Sequence, residues 1–157
     1  MPIYMKIEGV DGDVQAQGFE HYIEVFSFST GAERTGTHTG GGGGGAGKVN
    51  MQDFHFVRPT GKGSPTLMLA CCNGRHFPTA KIVFLRETGT GQPQTYLQYK
   101  LDRCFVKSWS TSGDAGSPTP TDSFSLNFEK ITYTQAVPGG VEEVFFDTRS
   151  NTGGGGQ

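Results

Sequence analysis

The sequence predicts a mainly β protein: a compact antiparallel β-barrel of two sheets with one short flanking α-helix. Three observations carry the prediction. Glycine supplies 25 of the 157 residues, which disfavours helix and favours many turns. Segments of apolar/polar alternation recur along the chain, separated by clusters of Gly, Pro, Asn and Asp of the kind that hairpin turns require. Two long segments change phase midway, and the bulges this implies add bend and twist that favour closure over a flat sheet.

The first strand is predicted over Ile3 to Glu8 and the second over His21 to Ser29. Val49 to Arg58 alternates, with Met51, Phe54 and Phe56 set against Asn50, Asp53 and His55. Lys81 to Glu87 contains the continuous run Ile82-Val83-Phe84-Leu85, which suits a strand covered on both faces. Tyr96 to Trp109 reads as a long strand or a bent pair, Ser123 to Thr134 as another, and Val144 to Asp147 as a short last one. Leu97, Tyr99 and Leu101 give way to Cys104 and Val106, and Phe124, Leu126 and Phe128 give way to Ile131 and Tyr133. Side chains alternate with period two, so bulges are expected near Asp102–Arg103 and Glu129–Lys130. The rival reading of these phase changes is that both faces are buried, one by the core and one by a partner subunit.

One helix is expected. Ser64 is placed as its N-cap and Pro65 at its first position, where a missing N–H costs nothing. Thr66 to Cys72 follow, and Asn73-Gly74 supplies a left-handed stop. Leu67, Ala70 and Cys71 share one face, with Met68 and Cys72 on a second apolar edge. About two turns cannot stand alone, so this helix must be packed on the barrel or on a neighbour.

The chain is long enough for one domain that buries roughly 68–70% of its unfolded surface without metal or disulfide. Apolar residues are only 34% of the total, but twelve Phe and five Tyr bring large buried areas. The expected organisation is a single barrel domain over residues 1–150, with an extended Gly-rich loop over about 31–47, and a flexible Gly-rich tail over 151–157. Net charge is −2 and the basic residues are scattered, which argues against nucleic acid as a partner. No apolar run approaches the roughly 18 residues of a spanning helix, so no membrane partner is expected. No secretory leader with an apolar h-region is present, so synthesis in the cytoplasm and exit by a route without a cleaved signal are expected.

Candidate chemistry is sparse. Gly42 to Lys48 matches a phosphate-cradling G-x-x-x-x-G-K pattern, but Val49 stands where Ser or Thr would hold magnesium, and no buried strand precedes it. His21, His38, His55 and His76 have no partner at helical spacing. Cys71, Cys72 and Cys104 lack metal spacing and read as buried or half-buried free thiols. Cys104 lies within a strand pattern, and no nucleophile elbow occurs. Glu142 and Glu143, being adjacent on a strand, face opposite ways and read as a solubilising pair. No catalytic residue, cofactor or metal is expected.

Five blocks, in order and covering most of the chain, resemble the haemolysin-coregulated protein (Hcp) family, the tube subunit of type VI secretion systems. They are Met1 to Gly9, Tyr22 to Ser29, Gly47 to Val49 with Asp53-Phe54, Ser64 to Ala70 through Gly74 to Phe77, and Asp122 to Tyr133. Each block is weak by itself, and the set is specific. The resemblance implies a compact barrel with a flanking helix and hexameric rings stacked as a tube inside a contractile sheath. It further implies spike and baseplate partners, effector proteins carried in the lumen, and secretion of the bacterial subunit itself. It places subunit or ring-stacking contacts at Thr30, Gly31, Glu33, Arg34, Lys48, Pro65, Met68 and Cys72. The family's Phe-Ser-Trp-Gly motif departs here to Phe28-Ser29-Thr30-Gly31, removing an aromatic contact. Seven glycines between Gly40 and Gly47 would cost about 7–14 kcal/mol to order. That loop is therefore expected to order only where a neighbouring ring covers it. The tail-tube subunit of a phage or other contractile injection device shares these features. A small ligand-binding barrel or enzyme is the remaining alternative.

Overall fold

A computed structural model describes residues 1–34, 49–89 and 91–156. In chain order the elements are β1 (Ile3–Ile7), β2 (Ile23–Val25), β3 (Ser27–Ser29), β4 (Ala32–Arg34), β5 (Val49–Met51), β6 (Phe54–Pro59), α1 (Ser64–Asn73), β7 (His76–Arg86), β8 (Gln94–Ser112), β9 (Thr121–Val137), β10 (Gly140–Asp147) and β11 (Thr152–Gly155). All pairings are antiparallel, in a nine-stranded sheet and a two-stranded ribbon of β4 with β5.

The large sheet closes on itself. β1 pairs with both β2 and β7, β7 with β8, β8 with β9, β9 with β6, and β6 with β3. β2 and β3 are one strand kinked at Phe26, whose N–H donates to the carbonyl of Val57 at 2.8 Å and carries the ladder across the kink. The circuit removes the edges of these six strands, which would otherwise template aggregation. β9 is long enough for β6 to occupy its first half and β10 its second, so the β10–β11 hairpin projects beyond the barrel.

Apolar alternation fills the interior. Met5, Ile7, Ile23, Phe54, Phe56, Ala80, Ile82, Leu101, Cys104, Phe124 and Leu126 form one buried cluster with Leu67 and Ala70 of the helix. The rings of Phe54 and Phe56 stack at 4.9 Å, and those of Phe56 and Phe124 at 5.1 Å. The phase changes fall where the alternation places them. Leu101 and Cys104 are both buried around Asp102–Arg103, and Phe128 and Ile131 around Glu129–Lys130. The cause differs from a one-sided bulge. Asp102 pairs with Lys130 and Cys104 with Phe128, so each strand spends its extra residue opposite the other's and the register holds. Arg103 takes a left-handed φ of 51° to do so. Register does shift nearby, between Val106 and Ser108 against β9, and between Phe84 and Leu85 against β8.

Four expectations are corrected. Gly63, with φ 97°, is the helix N-cap rather than Ser64, and Ser64 is the first helical residue because its hydroxyl is engaged elsewhere. The predicted strand from Val49 to Arg58 is two strands, broken at Gln52–Asp53. Cys72 is exposed, while Cys71 is half-buried and Cys104 buried. Residues 152–155, expected in a flexible tail, form β11 against β10. The reason is steric. A Cβ on Gly154 would lie 2.9 Å from Phe145 Cε1, and one on Gly153 would lie 3.2 Å from Phe146 Cδ2. Glycine is what lets two aromatic rings lie against this strand, a cross-strand device that composition does not reveal. The Gly40–Gly47 loop lies outside the described residues.

Candidate functional site

The described residues contain no group of three or more His, Cys, Asp or Glu placed to hold a metal. Asp53 beside His55 is engaged structurally, accepting from Asn127 Nδ2 at 3.0 Å and pairing with Lys107 at 3.2 Å. Burial, with Asp102 adding to it, pushes the Cys104 thiol up to about 12, so it is protonated at neutral pH. Its hydrogen-bond contact is the Phe77 carbonyl at 3.9 Å. No helix among the described residues is long and apolar enough to cross a membrane.

What the fold builds instead is surface. The wall made by β3, β6, β9 and β8 has two unlike sides. Across its inner side runs an aromatic rung, Phe28 opposite Phe56, Phe56 opposite Phe124 and Phe124 opposite Trp109. The adjacent outward rungs are Ser29–His55–Ser125–Ser108 and Ser27–Val57–Ser123–Ser110, followed by Pro59–Thr121–Ser112. Neighbouring hydroxyls bond one another, Ser108 to Ser125 at 2.6 Å and Ser112 to Thr121 at 3.3 Å. His55 is the only titratable side chain in these three rungs. A groove of about 290 Å³ runs over this wall between His55, Ser108, Ser110 and Ser123. Sequence reasoning missed the wall, although its signal is present: serine recurs at every second position at 27/29, 108/110/112 and 123/125.

The expected contact residues fall on two separate elements. Thr30 and Gly31 lead into the β4–β5 ribbon, on which Glu33 and Arg34 are exposed. They border an apolar groove of about 320 Å³ that also takes in Met51, Tyr99, Tyr133 and Phe145. Burial, then Tyr133, push the Tyr99 phenol up to about 12, so this groove stays uncharged. Pro65, Met68 and Cys72 are exposed on α1, next to Leu69 at 56% exposure. The helix packs against β8, and no strand pairing joins it to the ribbon. Lys48 lies outside the described residues. Further exposed apolar side chains not expected as contacts are Phe26, Val141, Val144 and Phe145.

Comparison with known proteins places this architecture. Residues 4–135 match the family described as "Type VI secretion system effector, Hcp". The protein hcp1 of Pseudomonas aeruginosa is 37% identical over 129 residues, covering 82% of this chain and 79% of that one. The crystal structure of Hcp1 from Salmonella typhimurium superposes with a TM-score of 0.80 at 25% identity, over 97% of both chains. A structure described as a type six secretion system protein superposes with a TM-score of 0.86 at 23% identity, over 98% of this chain and 99% of that one, and shows the same fold.

Proposed function

The chain belongs to the Hcp family of type VI secretion proteins, and from that premise we propose that its copies close into hexameric rings, which stack into a tube with the hydroxyl wall turned to the lumen. The chain is a tube subunit of a type VI secretion system. The observation that carries the finer reading is the character of the wall. A solvent-facing protein surface ordinarily carries the chain's charged residues, which are almost never fully buried unpaired, and the core of a subunit contact is apolar with charge depleted. The three outward rungs of β3, β6, β9 and β8 are neither. Short hydroxyls that bond one another and water give a surface without a strong field or large apolar anchors, suited to a channel that must release what passes through it.

On this reading the subunit is non-catalytic, the lumen carries effector proteins, and the tube works with sheath, spike and baseplate proteins and leaves the cell itself. Ring contacts use the groove at Thr30 and Gly31, the ribbon at Glu33 and Arg34, and the helix face at Pro65, Met68 and Cys72. These are different patches on one chain. Their contacts are therefore heterologous, and closure depends on the rotation between neighbours.

Electron microscopy of purified protein tests the proposal. The unaltered protein is imaged for ring symmetry, and a Ser110→Cys variant, with Cys71 and Cys72 replaced by Ala, is labelled with maleimide-gold to locate the wall. Six-fold rings are expected, at about six times the 16.8 kDa of one chain, with the gold inside the ring. Rings with gold on the rim would keep the tube and reverse the wall. A stable monomer at high concentration would overturn the ring itself.

A further inference from the structure

Asp122, at the start of β9, is fully buried. One of its oxygens accepts from Thr60 Oγ1 at 2.9 Å and Thr111 Oγ1 at 3.0 Å, and the other accepts from Ser64 Oγ. The Ser64 hydroxyl in turn accepts from the N–H of Gly61 at 3.0 Å. Arg58, 2% exposed, supplies the opposite charge and donates to the carbonyls of Pro59 and Lys62, each at 3.0 Å. One carboxylate thus ties together β8, β9, the loop before α1 and the first residue of α1.

The helix has few other anchors. Glycines with left-handed φ flank it, Gly63 at 97° and Gly74 at 67°. Apart from Ser64, only Leu67 and Ala70 are buried, with Cys71 partly so. It forms no strand pairing, whereas each strand of the closed circuit is held on both sides. Its path is fixed at both ends: Ser64 meets Asp122, which is paired with Thr111, and the turn at Gly74 leads into β7, whose Phe77 is paired with Cys104. About 15 Å of helix therefore lies along part of the roughly 23 Å of β8 between Thr111 and Cys104.

The geometry points to a conformational device: α1 is a lid over this part of the core, latched by Asp122 through Ser64, and it swings open on its two glycines while the barrel stays closed. The latch lies within one chain, but the ring reading sets a neighbour against Pro65, Met68 and Cys72 of α1, so labelling is measured on the monomer separated by size exclusion from any ring. Opening uncovers Cys104, which shares the core with Leu67 and Ala70 and serves as the reporter.

The test uses full-length protein with Cys71→Ala and Cys72→Ala, so that Cys104 is the one thiol. Iodoacetamide labelling of Cys104 and amide exchange across β8 and β9 are followed under native conditions. Ser64→Ala and Asp122→Asn are each expected to accelerate labelling by about tenfold to a hundredfold, the range for losing one hydrogen bond to a charged group. For Ser64→Ala, which leaves the Thr111–Asp122 bond in place, exchange in β8 and β9 should stay unchanged. Labelling that does not rise, or that rises only in step with β8 and β9 exchange, would show that helix and barrel open together and would overturn the device. Should Asp122→Asn fail to fold, the milder Ser64→Ala decides.

Discussion

Phe54 sits at the crossing of three ring contacts, stacked on Phe56 and set against Phe28 at 5.7 Å and Tyr99 at 5.1 Å. Truncating it to Ala removes a fully buried ring and is expected to cost about 3–5 kcal/mol, read as a lower denaturant midpoint with an unchanged slope. Glycine positions offer a sharper contrast. Gly154→Ala places a methyl 2.9 Å from the Phe145 ring and should destabilise the C-terminal hairpin by about 1–3 kcal/mol. Gly140→Ala meets nothing within 4 Å and should leave it unchanged; amide exchange over 152–156 separates the two. Both glycines look alike in the sequence. What distinguishes them is the ring across the strand, a partner that composition cannot supply. The same limit explains Ser64, whose identity suits a helix cap but whose hydroxyl is drawn off by a buried carboxylate 58 positions away.

At the scale of elements, the turn of the β10–β11 hairpin is closed chiefly by Asp147, with a Ser150–Thr152 hydroxyl bond of 2.7 Å beside it. Asp147 Oδ1 accepts from the N–H of Arg149 at 2.9 Å and of Ser150 at 3.0 Å, and Thr148 binds back to the carbonyl of Glu129. The Ser150 backbone bond, foremost, holds the Asp147 carboxyl below its ordinary 3.8. A depressed folded value means that the charged form favours the fold. Its contribution is complete above about pH 4 and is lost as the pH falls through the lower folded value. Acid should therefore loosen β11, and Asp147→Asn should loosen it at neutral pH. Exchange at 152–156 that ignores both changes would contradict this. Strands with strong alternation were legible from sequence to within a few residues, β1 and β9 among them. The three-residue β4 and the glycine strand β11 were not, because neither carries alternation and each exists only through its partner. The phase changes were legible at their correct positions, but whether one strand or both absorbs the extra residue depends on pairing that a single strand does not encode.

For the whole molecule, closure is the governing fact. The kinked β2–β3 strand pairs with β1 at one end and β6 at the other, so six strands lose their edges and the surfaces left for contact are the ribbon, the hairpin and the helix. Introducing charge at the groove, as in Ala32→Lys, is expected to leave the monomer folded and to shift the purified protein from ring to monomer in light scattering. Rings that persist in this variant would move the contact elsewhere. The closed wall also carries an optical property. Trp109 is the only tryptophan, half-buried on the rung behind the serines and bordering the groove over them. Intrinsic emission excited selectively at the indole therefore comes from a single place. A polypeptide entering that groove should change its colour or its quenching without any added dye.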